Sequence, residues 1–112
     1  MRDDKLYLIH INECIERVEK YIAAGGKEAF MASTLIQDAI LRNLQTLAES
    51  TQRLSAALKE KHPEMDWYKI AGFRNVLVHG YLGVDLERVW IIVERDLPNL
   101  KLGITSMLKE QR

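Results

Sequence analysis

The chain reads as an all-α protein, an antiparallel bundle of about five helices. Three observations carry that reading. Apolar residues recur at spacings of three and four over long stretches. Alternation of period two, the mark of a half-buried strand, is absent. Gly25-Gly26, Pro63, Gly80 and Pro98 fall where one periodic stretch gives way to the next.

The first helix is expected from about Asp3 to Ala24. Leu8, Ile11, Ile15, Val18 and Ile22 form one seam. Asp3 or Asp4 can cap its start, and Gly25-Gly26 stops it. His10 stands among polar neighbours and reads as an ordinary surface or partly buried histidine. The second helix starts near Lys27 or Glu28 and is long. Phe30, Leu35, Ile36, Ile40, Leu44 and Leu47 give it a broad apolar face, continued by Leu54 and Leu58 to about Lys61. Its expected kink is Ala48-Glu49-Ser50-Thr51, because Ser and Thr side chains compete for backbone hydrogen bonds.

His62-Pro63-Glu64-Met65 is a connector, since the residue before proline is pushed out of the α region. His62 reads as a C-terminal cap. Asp66 is a suitable N-cap for a third helix, which Gly80 ends. Leu82-Gly83-Val84 makes a turn, and Asp85 caps a fourth helix with Leu86, Val89, Trp90, Val93 and Leu97 inward. Pro98 belongs in the first turn of a fifth helix, lined by Leu100, Ile104, Met107 and Leu108.

The third helix carries the chemistry. Trp67, Ile70, Arg74, Leu77 and Tyr81 are spaced 3, 4, 3 and 4 apart, which puts Arg74 on an apolar seam. A guanidinium there needs a partner or a ligand. Asn75 and His79 share the neighbouring stripe. Histidine titrates near neutrality and can move a proton, while arginine can hold a phosphate. Read from the residues alone, Arg74 is more often a structural ion-pair partner, to Glu49 or Asp38, His79 a helix C-cap, and Tyr81 a core aromatic.

Arg74-Asn75-Val76-Leu77-Val78-His79-Gly80-Tyr81 resembles the Arg-x4-His-x-Tyr motif of the HepT-like family. These are small all-helical domains of the HEPN superfamily. The Pro63 and Trp67 approach to His79, the Asp85 to Trp90 helix and the Asp96-Leu97-Pro98 segment are also similar to that family. Asp38, Arg42 and Asn43 resemble charged and polar positions of the family, whereas Ala48 departs from the glycine that members often carry before the Glu at 49. The resemblance implies a metal-independent ribonuclease toxin. Its catalytic residues would be Arg74 and His79, supported by Asn75 and Asp38. It implies a homodimer that pairs two motifs in one RNA-binding cleft. It also implies a nucleotidyltransferase antitoxin that transfers AMP to the Tyr81 hydroxyl. The competing reading is a non-catalytic helical dimer that docks such a nucleotidyltransferase.

Composition narrows the classes. The 112 residues suit a single domain over 1–112 with one modest core. Basic and acidic residues balance at 16 each, so any RNA contact must come from a local or dimer-assembled patch. The lone Cys14 allows no internal disulfide, and the cytoplasm is the expected compartment. No cluster has metal-ligand spacing, no glycine loop implies a nucleotide cofactor, and none is expected. Met1-Arg2-Asp3-Asp4-Lys5 precedes no apolar signal core. The Val89 to Val93 run is far short of the roughly 20 residues a membrane span needs.

Overall fold

The computed structural model describes residues 2–78 and 85–111, with the side chains of 3–75 and 85–111. Every element among them is helical. In chain order these are α1 (Arg2–Ala23), α2 (Gly26–Ala32), α3 (Thr34–Gln52), α4 (Ala56–Lys61), α5 (Trp67–Ala71), α6 (Phe73–Val78), α7 (Leu86–Ile91) and α8 (Leu97–Glu110). A π-helical stretch, Ile92–Asp96, lies between the last two. The all-α expectation holds.

The core is where three long helices meet. α1 packs most extensively on α3 and next on α8. Leu8, Ile11, Ile15 and Val18 bury α1's seam against Ile40, Leu44 and Leu47 of α3 and Ile104 and Met107 of α8. Each such side chain contributes about 1.5–3 kcal/mol by leaving water. α1 and α3 run antiparallel, because Asp4 at the start of α1 bonds to Ser55, just past the end of α3. Lys101 near the start of α8 meets Glu19 near the end of α1 at 2.8 Å, so α8 opposes α1 as well. Phe30 of α2 stacks obliquely on Trp90 of α7, with centroids 5.5 Å apart.

Gly25 and Gly26 turn the chain between α1 and α2 at φ values of 124° and 61°. Both values lie in territory that an L side chain enters only with strain. At Gly25 a Cβ would also come within 2.7 Å of the Ala29 Cβ.

The expected second helix proves to be three. It breaks at Ser33 and again at Arg53–Ser55, and not at Ala48–Thr51. Each break is held by a serine. The Ser33 hydroxyl accepts from the Ile36 N–H, and Ser55 accepts from the Leu58 N–H. At the first break Gln37 donates to the Phe30 and Met31 carbonyls, which α2 leaves open at its end. Ala48, Ser50 and Thr51 stay helical because they are buried. The Thr51 hydroxyl returns its hydrogen bond to the Leu47 carbonyl one turn back, which keeps it in register. Leu35, counted on the apolar face, is 78% exposed, because it lies in the first turn after the Ser33 break.

The fourth and fifth helices were expected to separate at Asp96-Leu97-Pro98. They are instead continuous from Leu86 to Glu110 through the π-helical stretch. Proline has no N–H to return to the carbonyl four residues back, and its ring crowds that carbonyl. The wider turn absorbs the misfit: the Leu97 N–H reaches back five residues to the Ile92 carbonyl. Asp66 and Asp85 cap α5 and α7 as expected, accepting from the Lys69 and Arg88 N–H groups.

Candidate functional site

The third helix of the sequence reading divides at Gly72, where α5 hands over to α6. The Gly72 N–H closes α5 on the Tyr68 carbonyl, and the Gly72 carbonyl accepts from Asn75 to open α6. Ile70 and Phe73 are buried, while Arg74 is half-buried and Asn75 exposed. Arg74, which regular spacing placed on an apolar seam, is thus only partly buried there; Leu77 and Tyr81, the later members of that seam, have side chains outside the described residues.

α6 packs on α3, which brings Arg74 to the C-terminal end of that helix. Its Nη1 donates to the Gln52 Oε1 at 3.1 Å. No described carboxylate forms an ion pair with Arg74; Glu49 and Asp38, its candidate partners, do not take that place. A neutral amide oxygen satisfies one N–H and orients the guanidinium, yet does not match its charge with an ion pair.

Arg74 forms part of the wall of a surface cleft of ≈ 640 Å³ between the start of α1 and the end of α3. Tyr7 and His10 line it from α1, and Glu49, Gln52 and Arg53 from the α3 side. His10 is exposed, the surface histidine its sequence neighbours suggested, and it also lines this cleft. Nothing in its local sequence distinguishes it. Only the antiparallel pairing of α1 with α3 carries it to the cleft. Arg53 was likewise unmarked; its backbone N–H caps α3 on the Ser50 and Thr51 carbonyls, which leaves its side chain exposed.

Of the other site residues, Asp38 is exposed near the opposite end of α3. It lies fourteen residues before Gln52, about 21 Å of helix rise away. The structure does not bring Asp38 to the cleft. Asn43 is buried, with its amide nitrogen on the Ala39 carbonyl at 2.8 Å. His79 and Tyr81 lie outside the described residues. Among the described residues no group of three His, Cys, Asp or Glu side chains could hold a metal ion.

His62 occupies the C-cap position of α4, with its imidazole turned to two carboxylates. Nδ1 is 3.0 Å from Glu64 and Nε2 is 3.0 Å from Glu110. Glu64's own backbone N–H, and after it the His62 ring, hold the Glu64 carboxyl below its usual range. The Trp67 indole N–H adds hydrogen bonds to the Lys59 and His62 carbonyls. These contacts fix the connector that launches α5. Buried Cys14 has its thiol pushed upward by burial, which suits a packing residue and not a nucleophile.

Against known proteins, the ribonuclease HepT-like family model matches residues 11–107. The chain belongs to this family. A Thermococcus cleftensis protein named probable ribonuclease HepT is 35% identical over 100 residues, covering 89% of this chain and 91% of that protein. A Methanocaldococcus jannaschii protein, named gamma-glutamylcyclotransferase and, provisionally, RNase, is 35% identical over 109 residues. The match takes in 97% of this chain but spans 49% of that longer protein. A Caldanaerobacter subterraneus protein, provisionally named an RNase, is 27% identical over the full length of both chains. No solved structure matches the chain significantly. No helix among the described residues is long and apolar enough to cross a membrane.

Proposed function

We propose that the chain is a metal-independent endoribonuclease, the toxin of a toxin–antitoxin pair. Beyond family membership, one observation carries this reading. Arg74 is oriented by an amide, not neutralised by a carboxylate, and it borders an open cleft. A structural arginine is normally spent on an acid; this one is held in place and still able to meet a phosphate.

In the proposed mechanism the His79 imidazole takes the proton from a ribose 2′-hydroxyl. The freed oxygen attacks the adjacent phosphorus, and the bond to the 5′-oxygen breaks as that oxygen gains a proton. Arg74 meets the charge that builds on the non-bridging oxygens. Asn75, exposed one residue on, orients the phosphate or the imidazole. The leaving oxygen's proton comes from the same motif of a second copy, in a homodimer that pairs the two clefts. A nucleotidyltransferase antitoxin silences the enzyme by moving AMP to the Tyr81 hydroxyl, where the added anion repels the RNA backbone.

The test is RNA degradation by purified protein in the presence of a chelator. Arg74→Ala and His79→Ala are expected to abolish it with the helical circular dichroism unchanged. Undiminished cleavage by both variants overturns the mechanism. Intact mass after co-expression with a nucleotidyltransferase reads the proposed modification, which Tyr81→Phe removes.

A further inference from the structure

Three surface clefts of similar size among the described residues differ in charge. One on α1 sets Arg17 and Lys20 against Glu13, Glu16 and Glu19. One between α5 and α8 contains Lys69, but that ammonium is 3.0 Å from Asp96, with Glu64 and Asp66 close by. The Arg74 cleft alone among the three has an excess of cations: Arg53 and Arg74 against Glu49. The balanced composition of the chain makes that local excess informative, because it is not spread over the surface.

The chemistry of the walls is complementary. The two arginines come from the end of α3 and from α6. Facing them, α1 supplies the exposed imidazole of His10 and the half-buried ring of Tyr7. Guanidiniums and an imidazole N–H suit phosphate oxygens, and an aromatic ring offers a base a surface to lie on. A volume of ≈ 640 Å³ falls within the roughly 300–1,000 Å³ of small-ligand sites. That admits a nucleotide or so, and not the flank of a duplex.

We infer that His10 and Arg53 are substrate-positioning residues, holding the phosphate next to the one Arg74 engages on a single-stranded RNA laid in the surface cleft over the start of α1 and the end of α3. This rests on RNA being the substrate, and it adds a binding subsite supplied entirely by one protomer, outside the Arg74–His79 motif. Neither residue takes part in bond making. Their loss weakens strand binding and leaves turnover at saturation intact.

The experiment uses the full chain and a fluorescein-labelled single-stranded RNA 12-mer. Anisotropy is measured in the His79→Ala background, and cleavage kinetics in the unmodified protein. His10→Ala and Arg53→Ala are each expected to weaken RNA binding by 5- to 20-fold. They should raise KM to match and hold kcat within threefold. Arg53→Ala should also lower the slope of log affinity against log salt by about 0.7, the value for one single-strand phosphate contact. A duplex of the same sequence should bind at least tenfold more weakly. Both side chains are exposed and the Arg53 cap uses its backbone, so thermal melts should coincide with the parent's.

Unchanged affinity and salt slope in both variants overturns the inference. So does a kcat loss at constant KM, which would put His10 in the chemistry, and so does equal binding of the duplex. The underlying reading fails separately. RNA bound through His10 and Arg53 but never cut removes the ribonuclease and keeps the subsite. RNA cut normally by both variants removes the subsite and keeps the ribonuclease.

Discussion

Two polar side chains reach the same end of α3 and are treated in opposite ways. Asp4, 3% exposed, comes from α1 and accepts from both the Ser55 N–H and the Ser55 hydroxyl, at 2.8 and 2.7 Å. That serine in turn caps α4. Arg74 comes from α6, stays half-exposed, and gives one hydrogen bond to a neutral amide. The carboxylate is committed to the fold: its charge is matched by two donors and it ties the first helix to a residue 51 positions away. The guanidinium is positioned but not matched. Charge that serves structure is closed off, whereas charge kept for a ligand is oriented and left accessible.

That contrast can be broken most sharply at Arg74. Arg74→Ala should lower RNA cleavage by at least 10²–10³-fold, the scale of losing a transition-state anion contact. The same change should move unfolding free energy by less than about 1 kcal/mol, as for a half-exposed side chain that loses one hydrogen bond to an exposed amide. Asp4→Ala should do the reverse. It leaves two Ser55 donors near a buried site without an acceptor and should cost about 2–3 kcal/mol in urea melts. Asp4→Asn keeps one acceptor and should cost about half as much. Equal stability losses at positions 4 and 74 would erase the distinction.

Gln52→Glu sharpens the comparison by converting the second arrangement into the first. An acid beside Arg74 should form an exposed ion pair worth a few tenths of a kcal/mol. It should also weaken RNA binding severalfold, measured by anisotropy at low salt, because the guanidinium is then neutralised. Unchanged affinity would mean that the Arg74 charge is not what the ligand meets.

The smallest effect belongs to Glu64, which is exposed and paired with His62. Its folded carboxyl titrates below the usual range, chiefly through its own backbone N–H and next through His62. A depressed folded pKa stabilises above the unfolded value of about 4.3 and ceases to do so as pH falls through the folded value. Wild-type protein should therefore exceed Glu64→Gln in melting temperature at pH 6, with the gap closing below about pH 4. A gap that persists at pH 3 would assign the effect to packing.

Much of the fold was legible because apolar spacing and caps are local. The α1 seam, the Asp66 and Asp85 caps and the glycine turn at 25–26 follow from side-chain periodicity and backbone sterics. The joints were read less well. Ser33 and Ser55 look no different from Ser50, and burial alone separates a serine that ends a helix from one inside it. Pro98 resembles a stop, yet a π turn carries the helix past it.

Helical class, the α1 seam and the Arg74-to-Tyr81 motif are written in local sequence, since each depends on residues within a few turns of one another. Tertiary structure alone decided what surrounds Arg74. The end of α3 gave it Gln52 in place of an acid, and antiparallel packing brought His10 and Arg53 to the same cleft. Those neighbours lie 21 to 64 residues from Arg74, and no local pattern encodes contacts that exist only when the helices have packed.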